Sequence, residues 1–306
     1  MAIETDSRIA QAVRMRTYGK LNLFLRVLGS RSDGYHEIET ILHGIRLADD
    51  VEIIPTSTGG VEIEMTLAEH LRGEVPAPEE NVIWEVASSL LERGAHNDGV
   101  LIRINKRIPI GAGLGGGSSN AAGALVVLNE MWDTGLDNEE LLKSAGALGS
   151  DVPYCISGGT ALATARGDEL TPLPAPDALW FVLGISHEPL FTKDIYEMWE
   201  ALGAAPEVKS APMTLALGGG DPAEIASLLH NDLESVAVRL RPELLAKKEM
   251  MVRAGALGSC ITGSGPTVFG IARDEAHAQE ISAAVTDDFD HIIVVPSSSI
   301  CIERVE

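Results

Sequence analysis

Cysteine is scarce: Cys155, Cys260 and Cys301 are the three in 306 residues, and they show no C-x-x-C spacing. An odd, widely spaced set argues against a disulfide framework and against a structural zinc site, so a reducing compartment is expected. No run of about 18 apolar residues occurs, and the opening MAIETDSRIAQAVRMRTYGK has no secretory-type apolar stretch, so the expectation is a cytoplasmic protein with no membrane partner. Basic charge is also short. Lys and Arg number 23 against 45 Asp and Glu, and the net charge of −22 opposes nucleic acid as a partner. A small phosphate ligand is still admitted, because it responds to local amides and a metal ion more than to the global field. Internal repeats and low-complexity tracts are absent.

What is present fits a globular chain: 45% hydrophobic and 22% charged residues over 306 positions, a length that favours two domains or a large second lobe. Alternation in LNLFLRVLG, VEIIP and VEIEM predicts strands, broken by the turn-rich RSDGYHE. Apolar spacing predicts a helix over 81–93, capped by Asn81 and closed by Gly94, and then a strand in VLIRINKRI. Helices are expected over 118–132 and from a capping box at Asp137 and Glu140 to Gly149. The glycine-marked ISGGTALATARGDELTPLPAPD reads as a separator with a hinge at Pro174 and Pro176, which divides the chain into 1–165 and 166–306. Beyond it come the strand LWFVLGI, a helix over 192–202 with Ile195, Trp199 and Leu202 inward, two or three further helices, and a closing strand, helix, strand. The fold class is α+β with two domains.

The most informative junction is PIGAGLGGGSSNAAG, in which Gly111, Gly113, Gly115, Gly116 and Gly117 lie between a strand and a helix start. Glycines allow positive φ and close approach to a ligand, and the free amides of the helix start attract an anion; the plain alternative is a flexible hinge. Gly111, Gly113 and Gly116 satisfy the dinucleotide pattern G-x-G-x-x-G, but Asp133, at the distance of the ribose-binding acid, follows no strand. No Gly-Lys-Ser/Thr closes a P-loop, and the protein-kinase His-Arg-Asp and Asp-Phe-Gly are missing.

PIGAGLGGGSSNAAG resembles the second motif of the GHMP kinases, YGKLNLFL the first and TGSGPTVFG the third, in the right order over residues 18–270. GKLNLFLRVLGSRSDGYHEIETI, EENVIW and LGSDVPYC further resemble the branch that phosphorylates a cytidine diphosphate-linked methylerythritol in non-mevalonate isoprenoid synthesis. The resemblance implies a cleft between an ATP-binding domain on a five-stranded mixed sheet and a smaller α/β substrate-binding domain. It also implies ATP and Mg²⁺ as cofactors, with no protein ligand set for the metal evident in the sequence. The partners would be small molecules, and the state a monomer or weak homodimer. Two rivals remain at this point: another small-molecule GHMP kinase of the homoserine or mevalonate type, and a dinucleotide-binding oxidoreductase.

By the same resemblance Asp151 is the catalytic carboxylate and Lys20 its cationic partner, which suits phosphoryl transfer, a matter of positioning and charge neutralisation. Asp151 is otherwise an Asx-type turn former before Pro153. For ATP the implied contacts are Asn81, Val82, Lys106, Pro109, Gly111, Gly113, Leu114, Gly115, Gly116 and Gly117, with Ser118 or Ser119 near phosphate or metal. Without the resemblance Lys106 reads as a solvated strand residue. For the acceptor they are Asn22, Tyr35, His36, Thr192, Tyr196, Gly263, Ser264 and Gly265, Tyr35 and Tyr196 sandwiching the base. By spacing alone Tyr196 is a packing residue, and Gly263 to Gly265 form a tight turn between helix and strand. The cysteines read as buried packing groups.

Overall fold

The computed structural model describes residues 11–72, 75–93, 99–176, 178–203 and 207–305; the first ten residues of the polar leader and the cap expected at Gly94 lie outside them. The first two elements, β1 (Val13–Ser30) and β2 (His36–Thr56), alternate towards their ends, are buried continuously in their middles, and form an antiparallel pair closed by the turn at 31–35. With β3 (Val61–Leu67), β4 (Gly99–Lys106) and the returning β12 (Ile302–Val305) they form the path β12-β1-β2-β4-β3. Only the β3–β4 pair on this path is parallel, so the sheet is mixed.

Three more strands enlarge the expected five. β5 (Thr160–Thr164) pairs with β2 and with β6 (Glu169–Pro172), and the two-residue β8 (His230–Asn231) pairs with β1. The segment taken as a glycine-marked separator is therefore largely a hairpin: Ala161 and Ala163 face inward, and its glycines sit at the ends, which hid the period of two. A cut at residue 165 would pass between hydrogen-bonded strands, and the first sheet runs on to Pro172.

Four helices, α1 (Val82–Arg93), α2 (Gly116–Met131), α3 (Asn138–Leu148) and α4 (Val152–Ser157), lie on this sheet. Ile83, Val86 and Leu90 of α1 and Leu125 and Leu128 of α2 join Val51, Ile53 and Ile102 in one buried cluster. The Asp137–Glu140 capping box forms as expected, with Glu140 N–H donating to Asp137 Oδ1 at 2.9 Å. Helix α2 begins two residues earlier than the apolar spacing suggests, because a left-handed Gly115 caps it.

A second, antiparallel sheet has the order β11 (His291–Pro296), β7 (Trp180–Ile185), β10 (Val268–Ala272), β9 (Gly258–Ile261). Around it are α5 (Thr192–Leu202), α6 (Ala211–Gly219), α7 (Pro222–Ser227), α8 (Glu234–Leu240), α9 (Glu243–Arg253) and α10 (Glu275–Val285). Among the described residues four helices, not two or three, follow α5 before the last glycine loop, since α6 and α7 are short and split by Gly220 and Asp221. On α5, Ile195 and Trp199 are buried as expected, whereas Leu202 is exposed at the end of the last turn.

The lobes share a core. Leu21, Leu23 and Ile45 of the first sheet pack with Phe181, Ile185 and Phe269 of the second, each burial contributing about 1.5–3 kcal/mol, so the two sheets hold a fixed relation.

Candidate active site

The glycine loop meets the first amides of α2 from below a buried charge network. Gly115 has φ 72°, and a Cβ there would lie 2.9 Å from Lys20 Cγ, so a bare backbone is needed. The amides of Gly116, Gly117 and Ser118 open the helix without intrahelical partners and present the positive end of its dipole. Ser119, by contrast, is fully buried and its hydroxyl donates to Gly116 O at 3.0 Å. The loop's approach is set by Asp49, buried on β2, whose Oδ1 accepts from the amides of Arg107 at 2.7 Å and Ile108 at 2.9 Å. Its other oxygen takes the Lys106 ammonium and Asn120 Nδ2. Lys106 is thus buried in an ion pair, not solvated.

Beside the loop, Lys20 and Asp151 come together at 3.2 Å. The Lys20 ammonium also donates to Asn22 Oδ1 at 2.8 Å and to Gly113 O at 3.1 Å, so three acceptors fix its three protons. Strand β1 makes room for this: its pairing with β2 slips on either side of Lys20 and Asn22, and Lys20 N–H donates instead to Leu114 O at 2.9 Å. Asp151 precedes α4 but its carboxylate makes no cap hydrogen bond, so the Asx-turn reading fails and the group faces the cleft, one-third exposed. The last glycine loop closes the cluster. Thr262 Oγ1 accepts from Asn22 N–H at 3.0 Å, and Asn231 Nδ2 donates to Ile261 O and Gly263 O, both at 2.8 Å. That loop joins β9 to β10, strand to strand, where helix to strand was expected.

Two cavities meet here. The smaller, about 340 Å³, is lined by Asn81, Val82, Lys106 and Pro109, by Gly111, Leu114, Gly116 and Gly117, and by Gly113, Gly115 and Ser118. Those last three also line the larger, about 760 Å³, together with Lys20, Asn22, Tyr35 and His36, and with Asp151, Thr192, Tyr196, Gly263 and Ser264. Of the residues expected at the site, Ser119 and Gly265 line neither. The larger cavity takes residues from both lobes, so the acceptor's expected residues are not confined to 166–306.

The aromatic wall has supports that sequence reading did not identify. The Arg166 guanidinium lies 4.7 Å from the Tyr35 ring centre and is itself held by Asp168 and Gly146 O. The Tyr196 ring packs against His36, tilted by 32° at 4.5 Å between centres, and burial, then the negative Asp151, pushes its phenol well above the usual range. Thr192 and Ser264 hydroxyls are 3.0 Å apart across the rim. Asp49, Asn120, Asn231, Arg166 and Glu200 carried faint signals at best: an acid after HGIRLA, an amide among small residues, an Asn-Asp pair before a helix. The cysteines are buried; hydrogen bonding to Cys301, then burial, raises the Cys155 thiol.

Residues 81–159 match the family model described as GHMP kinases N terminal domain, and residues 196–291 match GHMP kinases C terminal. The chain belongs to the GHMP kinases. It is 43% identical to a 4-diphosphocytidyl-2-C-methyl-D-erythritol kinase of Shouchella clausii over 276 residues, covering 90% of this chain and 91% of that one. To the kinase of the same name from Gloeobacter violaceus it is 38% identical, with 91% of each covered. A crystal structure of 4-(cytidine 5'-diphospho)-2C-methyl-D-erythritol kinase superimposes with a TM-score of 0.77 at 31% identity, covering 93% of this chain and 99% of that one. A homoserine kinase from Cytophaga hutchinsonii, 20% identical with a TM-score of 0.72 over the whole of both chains, shares the fold.

GHMP kinases use ATP as phosphate donor, and this GHMP kinase has the two-domain α+β fold of the family. The dinucleotide reading of the glycines falls with the topology: α2 leads into α3 and α4, then into an antiparallel β5, with no second parallel strand to carry a ribose-binding acid. Among the described residues no helix is long and apolar enough to cross a membrane.

Proposed function

We propose that this GHMP kinase transfers the γ-phosphoryl group of ATP to the 2-hydroxyl of 4-diphosphocytidyl-2-C-methyl-D-erythritol, giving the 2-phosphate and ADP. The observation that carries the reading is the Lys20–Asp151 pair, at 3.2 Å, beside the place where the two cavities share Gly113, Gly115 and Ser118. ATP occupies the smaller cavity with its phosphates on the amides of α2, and the acceptor occupies the larger. Asp151 orients the hydroxyl and takes its proton as the oxygen–phosphorus bond forms and the β–γ bridge breaks; the Lys20 ammonium stabilises the developing alkoxide. Tyr35 and Tyr196 hold the base on the faces that Arg166 and His36 leave open, and Asn22, Thr192, Gly263 and Ser264 line the path of the rest of the acceptor.

Among the described residues no three His, Cys, Asp or Glu converge on a metal position. That fits Mg²⁺, which binds through phosphate oxygens and water with one or two protein oxygens; the Ser118 hydroxyl and the Asp151 carboxylate, both lining the cavity, would hold it. When bound it neutralises the triphosphate charge. Use of ATP as phosphate donor supports a cytoplasmic setting.

Steady-state assay of Asp151→Asn tests the reading. Turnover should fall by about 10³-fold with the melting temperature retained, and near-native kcat would remove Asp151 from the chemistry. Homoserine and mevalonate should be inert in the same ADP-release assay.

A further inference from the structure

Resting on the reading that the Lys20–Asp151 pair carries the phosphoryl transfer, one buried hydroxyl outside the expected set bears on how that pair is held. Thr40, on β2 opposite Leu25 of β1, is buried at the edge of the larger cavity. Its hydroxyl donates to Phe24 O at 2.7 Å. With that proton committed, Thr40 Oγ1 can only accept, and it does so from Asn22 Nδ2 at 2.9 Å.

Asn22, also buried, is the next link. Its side-chain oxygen accepts from the Lys20 ammonium at 2.8 Å and lies 3.3 Å from the Thr262 hydroxyl, whereas among the described residues its Nδ2 has Thr40 alone. An amide can present either end, so its neighbours set its orientation. Here both ends agree: the ammonium only donates and takes Oδ1, while Thr40 only accepts and takes Nδ2. The result is a directed chain from Lys20 through Asn22 and Thr40 to Phe24 O, ending on backbone where the pairing of β1 with β2 slips between Asn22 and Phe24.

Of the three acceptors around the Lys20 ammonium, Asp151 faces the cleft and Gly113 O belongs to the first glycine loop, so Asn22 is the one anchored in the sheet. Without a hydroxyl at position 40 the donor end of this amide loses its partner, and nothing then holds Oδ1 against Lys20.

We propose that Thr40 is a positioning residue for phosphoryl transfer: it locks the Asn22 amide and through it sets where the Lys20 ammonium stands beside Asp151. Thr40 acts through Asn22 and does not itself touch the reacting atoms.

The test is a double-mutant cycle on kcat in the full chain, with Thr40→Val, Asn22→Ala and the two combined. Thr40→Val keeps the shape and removes the hydroxyl; kcat should fall about tenfold or more with KM for ATP nearly unchanged, and Thr40→Ser should bring it back to within about threefold of native. In the Asn22→Ala background Thr40→Val should lower kcat no further, since the group it acts on has gone. Equal losses in both backgrounds would mean that Thr40 acts by direct contact or by packing and would overturn the proposal, as would native kcat in Thr40→Val. Asp151→Asn in the same assay separates this from the assignment it rests on. Native kcat there removes the phosphoryl-transfer reading, whereas an inactive Asp151→Asn beside an unaffected Thr40→Val removes only the role of Thr40. Should Thr40→Val not fold, the native chain decides: slow hydrogen exchange of the Asn22 side-chain amide, read in ¹H–¹⁵N spectra, supports the lock, and exchange as fast as that of an exposed amide would sink it.

Discussion

At the level of single residues, Lys20 shows how much a buried cation depends on its surroundings. Its side chain is only 5% exposed, yet each of its protons has an acceptor in Asn22, Gly113 or Asp151. Lys20→Ala should lower kcat by about 10²–10³-fold, checked by the same steady-state assay, since it removes the charge beside the forming alkoxide. Gly115→Ala makes a subtler prediction. A methyl group there would press on Lys20 Cγ and Cε at 2.9 and 3.1 Å, so the ammonium must shift from Asp151, and kcat should fall about tenfold or more while stability drops by only about 1–2 kcal/mol. Gly117, inside the helix with open space at its Cβ position, is the contrast: Gly117→Ala should raise the melting temperature.

Elements depend on buried networks that no periodicity announces. The first glycine loop leaves β4 through Arg107 and Ile108, and both amides end on Asp49, which has no exposed surface and also neutralises Lys106. Asp49→Ala strands a buried ammonium and two amides, so a loss of about 3–5 kcal/mol is expected, or roughly 10 °C in a thermal melt, with KM for ATP rising among the molecules still folded. Asn231 plays the matching part for the last glycine loop through its two bonds to Ile261 and Gly263 carbonyls. Its strand is two residues long, too short to leave a pattern.

For the molecule as a whole, His43 reports on the joint between the lobes. It lies in β2, bonded through Nδ1 to Thr160 at 2.8 Å and packed 5.6 Å from Phe181 of the second sheet, with Nε2 unpartnered among the described residues. Burial lowers its pKa to about 4 from 6.5. The imidazole is neutral in both states above pH 6.5; below that the unfolded chain takes a proton that the folded one refuses, so stability falls as pH drops toward 4. Between pH 7 and 5 this group alone should remove about 2 kcal/mol, read from urea unfolding as the difference between the native chain and His43→Gln. Equal pH slopes in the two would show that His43 takes no part.

Much of this was legible beforehand because it is local. Alternation set β4, the second half of β1 and the end of β2, the capping box set α3, and the glycine run before small residues marked the loop that opens α2, each within one stretch of chain. The resemblance of YGKLNLFL and LGSDVPYC also brought together Lys20 and Asp151, 131 positions apart in number. Folding alone decided what lies between such stretches: that β5 and β6 form a hairpin where glycines suggested a hinge, that β12 returns to the first sheet, that Ser119 turns inward, and that Asp49, Asn231, Arg166 and Glu200 support the residues that face the ligands. The physical reason is range. Helix period, strand period and caps are written over neighbouring residues, whereas a buried hydrogen bond joins groups whose separation in sequence carries no trace of their meeting in space.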